Sequence, residues 1–191
     1  HKGLAIIESS IRRLGDLVED LLNVSRIEQR RLQLNIESAD IDEIIRQTID
    51  ELKINAASKK LELSYQSTAG LPHVAIDRDK TRQILVNLIG NAIKYTREGS
   101  VSITTKLQPK SILIKIKDTG IGIAAKDREK LFTKFYRVAN ENTKGITGTG
   151  LGLWITKELI TIMKGEIAID SIEGVGTEVS IMLPLAQGLN P

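Results

Sequence analysis

The sequence has 191 residues, of which 41% are hydrophobic and 3% aromatic, enough for one domain with an aliphatic core, or for a domain with an appendage. Its formal charge of +3 is mild, and no block of Lys and Arg with interleaved aromatic residues indicates a nucleic-acid surface. The absence of cysteine excludes disulfides, thiolate zinc sites and cysteine nucleophiles. No apolar run approaches the roughly 18 residues of a membrane span, so we expect a cytoplasmic polypeptide without membrane contact of its own, even if the intact protein is anchored.

The pattern from Leu4 to about Leu32 predicts one long helix without proline. Its apolar residues recur at alternating steps of three and four, which is typical of the seam of a coiled coil or helical bundle: Leu4, Ile7, Ile11, Leu14, Val18 and Leu21. A helix this apolar must pack on something, and the alternation favours a partner helix over the following domain. We therefore divide the chain into a helical unit over 1–35, a domain over 36–187 and a tail over 188–191.

The rest of the chain alternates helices with strands. Apolar periodicity predicts helices over about 41–58, 79–96, 126–135 and 152–163, and strands over 61–65, 74–76, 101–105, 112–116, 167–169 and 179–183. Residues 137–147 are polar and predict an irregular loop. Because most strands are joined as hairpins, we expect an α+β fold: a two-layer α/β sandwich with a mixed, mostly antiparallel sheet, preceded by a long bundle-forming helix.

The helix predicted over 79–96 has an unusual polar face. Gln83, Asn87, Asn91 and Lys94 stack on the side opposite a broad apolar arc. Asparagine is a poor residue within a helix, since its amide competes for nearby backbone groups. Two asparagines one turn apart, with a lysine beyond them, could offer oxygen to a metal ion and an ammonium group to phosphate. The alternative is an ordinary solvated face.

The segment Asp118-Thr119-Gly120-Ile121-Gly122 follows a strand that is predicted to be buried. Its two glycines let the backbone approach a flat ligand closely, and the aspartate can accept a hydrogen bond from an amino group and so read a base edge. An ordinary turn is one alternative. The active-site triplet of an aspartic protease is another, but it requires a second catalytic aspartate, and the chain has no internal duplicate.

A second glycine-rich segment, 148–152, opens the last predicted helix. Open backbone N–H groups and the positive end of a helix dipole both favour phosphate oxygens. The segment is neither a Walker A loop nor a Rossmann fingerprint, and the motifs of eukaryotic-type protein kinases are absent. The later segment Gly174-Val175-Gly176-Thr177 fits a tight turn, and we interpret it as structural.

Taken in order, four motifs resemble the ATP-binding domain of bacterial sensor histidine kinases. Asn-x3-Asn-x2-Lys-Tyr, Asp-Thr-Gly-Ile-Gly-Ile, Leu-Phe-x2-Phe-Tyr-Arg and Gly-Thr-Gly-Leu-Gly-Leu correspond to the N, G1, F and G2 boxes of this family. The resemblance runs from about Leu4 to Leu185. The run Asp20–Ile27 is similar to the second helix of the family's dimerisation and phosphotransfer hairpin, which suits the bundle seam.

The resemblance implies that the domain binds ATP with Mg²⁺. Asn91 would hold Mg²⁺ through its side-chain oxygen, and Asn87 would lie beside the metal and orient water or phosphate. Lys94 would meet a phosphate, and Arg137 could reach the γ-phosphate during transfer. The glycine-rich residues implied to line the phosphates are Thr149, Gly150, Leu151 and Gly152.

At the other end of the nucleotide, the resemblance implies that Asp118 accepts the adenine amino group. The other residues implied in this adenine pocket are Tyr95, Gly120, Gly122 and Ile123. Phe132 and Phe135 are expected to anchor a lid rather than to touch ATP.

The sequence departs from the family pattern at the phosphoacceptor, since neither His1 nor His73 lies in the family's histidine motif. The resemblance then implies the catalytic part of a histidine kinase, which transfers the γ-phosphoryl group to a histidine upstream of this chain. A homodimer through the N-terminal helix and a response regulator receiver domain are the implied partners. One alternative is an ATPase clamp of the same superfamily, which usually has a glutamate where Asn87 stands. Another is an interaction module whose nucleotide pocket has decayed.

Overall fold

The computed structural model describes residues 2–186, without the side chains of residues 2–9, 12, 13 and 16. The helices are α1 (Lys2–Glu28), α2 (Ile41–Ser58), α3 (Arg78–Tyr95), α4 (Ala125–Arg128) and α5 (Gly152–Ile162). The strands are β1 (Glu37–Ala39), β2 (Glu62–Gln66), β3 (Val74–Ile76), β4 (Ser100–Leu107), β5 (Ser111–Asp118), β6 (Glu166–Ile172) and β7 (Gly176–Pro184). His1 and the predicted tail lie outside the described residues.

Five strands form the main sheet in the order β2-β4-β5-β7-β6. β2 pairs with β4 in parallel, whereas β4 with β5, β5 with β7 and β6 with β7 are antiparallel. β1 and β3 form a separate antiparallel pair. The predicted mixed, mostly antiparallel sheet is therefore confirmed, including the hairpin in which Ile103 of β4 is paired with Ile116 of β5.

The helices α2, α3 and α5 cover one face of this sheet. Along β4, β5 and β7 every second residue is buried, as expected when one face of a sheet meets a core. The predicted apolar arc of α3 is buried opposite them, through Ile84, Leu85, Leu88, Ile89, Ala92 and Ile93. The polar side of α3 therefore points away from the core, into the region where the site is built.

The long helix α1 contacts the sandwich near its C-terminal end, where Val24 and Ile27 are only 8% exposed. Farther toward the N-terminus, large apolar side chains are between 45% and 65% exposed: Ile11, Leu14, Val18, Leu21 and Leu22. This open stripe follows the predicted seam, whose remaining members Leu4 and Ile7 lie outside the described side chains. None of the described helices combines the length and the hydropathy that crossing a membrane requires.

The helix predicted over 126–135 is wrong beyond Arg128. A four-residue α4 is followed by turns up to the start of α5, and Phe135 adopts a left-handed backbone with φ of 61°. This conformation ends a helix and lets the backbone of Phe135 meet Gly150, where an added Cβ would lie 2.7 Å from the Phe135 carbonyl carbon. A long-range contact therefore overrides the local helical periodicity. We call residues 125–151 the lid segment.

Candidate functional site

A cavity of about 840 Å³ opens between α3, α5, the end of β5 and the lid segment. Most of the predicted site residues line it: Asn87, Asn91, Tyr95, Asp118, Gly122, Ile123, Arg137, Thr149, Gly150 and Gly152. Lys94, Gly120 and Leu151 were also predicted but lie outside this lining. The fold thus brings predicted residues as far apart in the sequence as Asn87 and Gly152 to one chamber.

The polar face of α3 is organised by Asn87, which reaches across to α5. Its Nδ2 donates to Thr156 Oγ1 over 2.9 Å, and its Oδ1 accepts from Asn91 Nδ2 at 3.4 Å. Gly152 at the start of α5 makes room for this amide, since an added Cβ would lie 2.7 Å from Asn87 Oδ1. With its nitrogen directed to Asn87, Asn91 retains Oδ1 as its acceptor atom. Both asparagines are half-buried, and Asn87 is bonded to α5 rather than freely solvated.

Asp118 ends β5 and is 8% exposed. Its Oδ1 accepts hydrogen bonds from the N–H groups of Gly120 at 2.8 Å and Thr177 at 3.3 Å. Burial raises the pKa of the Asp118 carboxyl, and these two N–H groups oppose that rise. The carboxylate is thus a fixed acceptor at one end of the cavity. Gly120 packs tightly between this carboxylate and α3, since an added Cβ would lie 2.8 Å from Asp118 Oδ1 and 2.6 Å from the Tyr95 carbonyl oxygen.

Two residues of this end were missed by the sequence analysis, which assigned Gly176-Thr177 to a structural turn. Thr177 is paired with Asp118 in the β5–β7 ladder and lines the cavity. Its hydroxyl lies 2.8 Å from Ser171 Oγ, which also donates to the Gly176 carbonyl and accepts from Ile123 N–H at 2.9 Å. Ser171 is 6% exposed, so this hydroxyl network is sheltered from water. The network became apparent only with the strand register.

At the opposite end, two cations are held by carbonyl groups of the lid segment. Lys94 Nζ donates to the Thr147 carbonyl and Arg137 Nη2 donates to the Ile146 carbonyl. Burial lowers the pKa of the Lys94 ammonium group, and the nearby positive charge of Arg137 lowers it further. The positive charges of Lys94 and Arg137 repel each other, and an anion bound between them would reduce this repulsion.

The glycine segment before α5 is tied to both the core and α1. Leu151 is fully buried, and its N–H donates to Thr149 Oγ1 at 3.2 Å, so its side chain cannot line a phosphate. Thr149 Oγ1 in turn donates to Asp20 Oδ2 of α1 at 2.9 Å. Glu19 and Asp20 also line the cavity. The sequence predicted the N-terminal helix as a unit separate from the domain, and the structure brings two of its carboxylates to the rim of the cavity.

The predicted anchoring of the lid by two phenylalanines is only half right. The ring of Phe132 lies beneath Lys157 of α5, with Nζ 5.1 Å from the ring centroid. Phe135 is 61% exposed, and its backbone rather than its ring meets Gly150. The lid segment is also held by an ion pair between Lys134 and Glu28 of α1, and Lys134 Nζ lies 4.5 Å from the centroid of the Trp154 ring.

At one end of the cavity lie the buried Asp118 carboxylate and the Thr177 hydroxyl. The other end has side-chain amides, two cationic side chains and the glycine-rich start of α5. The N-cap residue of α5 provides no side-chain cap for the first N–H groups of the helix. Such an arrangement suits a ligand with an amino-bearing ring at one end and anionic oxygens at the other.

Comparison with known proteins identifies the class. The family model described as histidine kinase-, DNA gyrase B- and HSP90-like ATPase matches residues 76–187, more than half of the sequence. The chain therefore belongs to this family. It is also 38% identical over 188 residues to the sensor histidine kinase WalK of Bacillus subtilis, across 95% of this chain.

Solved structures agree with this membership. ShkA in complex with AMPPNP superimposes with a TM-score of 0.82 at 29% identity, over 94% of this chain and 37% of that protein. The histidine kinase AdeS of Acinetobacter baumannii gives 0.78 at 28% identity, over 94% of this chain and 82% of that chain. The expected similarity to the ATP-binding catalytic part of sensor histidine kinases is thus confirmed. The chain spans 30% of the length of WalK.

Proposed function

We propose that this chain is the cytoplasmic catalytic part of a two-component sensor histidine kinase, which transfers the γ-phosphoryl group of Mg-ATP to a histidine outside this sequence. The observation that carries the proposal is the meeting of Asn91, Asp118 and Thr149 in one chamber of about 840 Å³. These three residues come from the separate motifs that the resemblance assigned to metal, base and phosphates. ShkA, a structural relative, is described in complex with AMPPNP.

The adenine would lie at the end formed by β5 and β7. Asp118 would accept a hydrogen bond from its amino group, and Thr177 stands beside it in the ladder as a second polar contact. Tyr95, Gly122 and Ile123 would form the walls against which the flat ring packs. A buried acceptor favours a 6-amino purine over a 6-oxo purine, because the oxygen would face the carboxylate without a proton between them.

The phosphates would lie between the polar face of α3 and the start of α5. Asn91 Oδ1 would be the protein ligand of Mg²⁺, and the sparse oxygen donors present here fit an ion that takes most of its ligands from phosphate and water. When bound, Mg²⁺ would neutralise charge on the phosphate oxygens. Asn87, held by Thr156, would fix the position of Asn91 rather than bind the ion itself.

During transfer, the task of this chain is to position the nucleotide and to neutralise charge. Lys94 and Arg137 now donate to carbonyls of the lid segment, and the same donors would turn to phosphate oxygens as the nucleotide enters. Backbone N–H groups of Thr149, Gly150 and Gly152 would add neutral donors. No residue of this set is a strong base, which suits a reaction whose nucleophile is a histidine on another segment.

The partners are part of the same proposal. The open apolar stripe of α1 would pair with α1 of a second copy, since a helix with this seam has a bundle as its natural environment. A response regulator receiver domain would accept the phosphoryl group from the modified histidine. Neither His1 nor His73 is proposed as the acceptor. His73 Nδ1 lies 3.1 Å from Ser38 Oγ, in the loop before β3.

A titration with Mg-ATP tests the proposal directly. Trp154 is the only tryptophan of the sequence and lies two residues into α5, so its fluorescence should change as the phosphates bind. We expect saturable binding, a higher melting temperature in Mg-ATP and transfer of label to a histidine when the intact kinase is used. The absence of both the fluorescence change and the thermal stabilisation at millimolar Mg-ATP would refute the proposal.

The ATPase-clamp alternative can be separated by the fate of the nucleotide. An ATPase of that type needs a base to activate water, and Asn87 is an amide whose nitrogen is bound to Thr156. We therefore expect this chain to bind ATP without appreciable release of phosphate. Steady phosphate release at a rate far above the background of the buffer would favour the clamp instead.

A further inference from the structure

The ammonium group of Lys59 closes the C-terminal end of α3. Lys59 is the residue that follows α2, and its Nζ lies 2.8 Å from the Ile93 carbonyl, 2.8 Å from the Lys94 carbonyl and 3.2 Å from the Thr96 carbonyl. An ammonium group has three protons, so these contacts occupy all of its donors. An exposed lysine would ordinarily be interpreted as a solvated side chain, and here it is fixed by three backbone groups.

Each of the last four carbonyls of α3 accepts at least one hydrogen bond. The last carbonyls of a helix have no partner within the helix and must be satisfied from outside. The Ala92 carbonyl accepts from Thr96, through the N–H at 3.1 Å and Oγ1 at 2.7 Å. Lys59 takes the carbonyls on either side of Tyr95, and the Tyr95 carbonyl accepts from Ile121 N–H at 3.2 Å.

That remaining bond joins α3 to the loop that follows Asp118. Tyr95 and Ile121 both line the cavity, and Gly120, whose N–H binds Asp118, packs directly against the Tyr95 carbonyl. The Tyr95 carbonyl is therefore one of the groups that fix the loop behind the Asp118 carboxylate, together with the Ser100 carbonyl, which accepts from Thr119 N–H, and Gly174 N–H, which donates to the Ile121 carbonyl. Lys59 is outside the cavity lining, but it orients the peptide groups immediately before and after that carbonyl.

We propose that Lys59 is a positioning residue for base recognition: its ammonium group fixes the end of α3 so that the Tyr95 carbonyl holds the Gly120–Ile121 loop. This inference rests on the proposed nucleotide-binding function. A lysine suits the task because a compact ammonium group can donate to three converging carbonyls, whereas the planar donors of arginine cannot.

The test compares ATP and GTP binding in Lys59→Met and in the matched control Lys60→Met, which removes the adjacent exposed lysine. For Lys59→Met we expect ATP affinity to fall by about tenfold and the preference for ATP over GTP to narrow, as expected for the loss of hydrogen bonds to a charged group. Lys60→Met should change neither quantity. A purely structural role would weaken both nucleotides equally and leave their ratio unchanged.

Each outcome decides between the proposals. Wild-type protein that binds ATP, together with a folded Lys59→Met variant of unchanged ATP-to-GTP ratio, would overturn the inference and leave the proposed function intact. Wild-type protein that binds no nucleotide would overturn both. Should Lys59→Met fail to fold, Lys59→Gln replaces it, because two amide protons without a positive charge cannot serve all three carbonyls. An unchanged ratio in that variant also overturns the inference.

Discussion

Thr149 Oγ1 donates a hydrogen bond to Asp20 Oδ2 over 2.9 Å, and this bond joins the glycine loop before α5 to the long helix α1. Asp20 and its neighbour Glu19 place negative charge on the rim of the cavity, at the end proposed for phosphates. A triphosphate entering that end would meet both carboxylates and would compete for the Thr149 hydroxyl. Contact with α1 and occupation by nucleotide should therefore oppose each other.

We expect Asp20→Asn to bind Mg-ATP about threefold more tightly than the wild type, because one rim charge is removed in a partly solvated setting. The gain should shrink as salt is raised from 20 mM to about 500 mM, since screening weakens the repulsion. Isothermal titration calorimetry at the two salt concentrations measures the effect. Asp50→Asn, which removes an exposed carboxylate of α2, is the control and should change nothing. Equal affinities of wild type and Asp20→Asn at low salt would contradict the prediction.

The role proposed for Asp118 predicts a severe loss in Asp118→Asn. The amide can still accept from Gly120 and Thr177 through its oxygen, but its nitrogen would present protons to the adenine amino group. Two donors facing each other in a buried site should reduce ATP affinity by about 10- to 100-fold. Titration of folded Asp118→Asn, checked by circular dichroism, gives the answer. Affinity within a factor of two of the wild type would remove Asp118 from base recognition.

The same substitution should stabilise the fold at neutral pH. Burial raises the pKa of Asp118, so the folded state holds this proton more tightly than the unfolded state. Stability then decreases as pH rises from the unfolded pKa, about 4, through the higher folded pKa. We expect Asp118→Asn to melt at a higher temperature than the wild type at pH 7, with this advantage lost at about pH 4. A melting temperature below that of the wild type at pH 7 would show that the raised pKa carries no such cost.

Two glycines provide a matched pair of substitutions. In Gly152→Ala the new Cβ would lie 2.7 Å from Asn87 Oδ1, so the Asn87 amide must move and Asn91 loses its support. We expect about tenfold weaker binding of Mg-ATP, since small displacements of positioning groups are costly. In Gly90→Ala the Cβ would have no heavy atom within 4 Å, and we expect a gain of about 0.5–1 kcal/mol in stability. Chemical denaturation and Mg-ATP titration of both variants test these expectations. Equal stability and equal Mg-ATP affinity of the two variants would refute them.

The open stripe of α1 predicts self-association. Leu14 is 62% and Val18 50% exposed, so replacing both with glutamate should prevent pairing of two helices while leaving the sandwich folded. Analytical ultracentrifugation should show a dimer for the wild type and a monomer for the double variant. Ile54→Glu on α2, at a side chain that is 73% exposed and outside the stripe, should remain dimeric. A wild-type protein that is monomeric at 100 μM would count against the proposed homodimer.

Much of the fold was predictable because the apolar pattern within each helix and strand agrees with the face that the element buries. The alternation in β4, β5 and β7 and the apolar arc of α3 each match the burial found in the structure. Within the lid segment, the irregular course of residues 137–147 was predicted from their polarity, but the early end of α4 was not, because it depends on Phe135 meeting Gly150 across 15 residues of chain. Periodicity reports only which residues repeat locally, and a long-range contact between two backbones leaves no such signal.

Site residues were predictable where their residue types within a motif indicate a chemical role. They were not predictable where the role depends on which residues are paired between strands. The asparagines and glycines identified the cavity because their residue types are unusual for their positions. Thr177 became relevant only through its register with Asp118, and Ser171 only through Thr177. In the sequence, Lys59 cannot be distinguished from an ordinary surface lysine. Its role depends on the end of α2 lying next to the end of α3.

One end of the cavity is formed by paired strands and the other partly by turns, and this difference implies an order in which the parts of the nucleotide bind. Asp118 and Thr177 face each other in a continuous ladder, so the groups proposed to read the base are in place before any ligand arrives. The groups proposed to hold the phosphates belong partly to turns, and Lys94 and Arg137 must first release their carbonyls. We therefore expect the ring to enter first and the triphosphate to complete its own surroundings, so that adenosine alone should associate nearly as fast as ATP but leave much sooner.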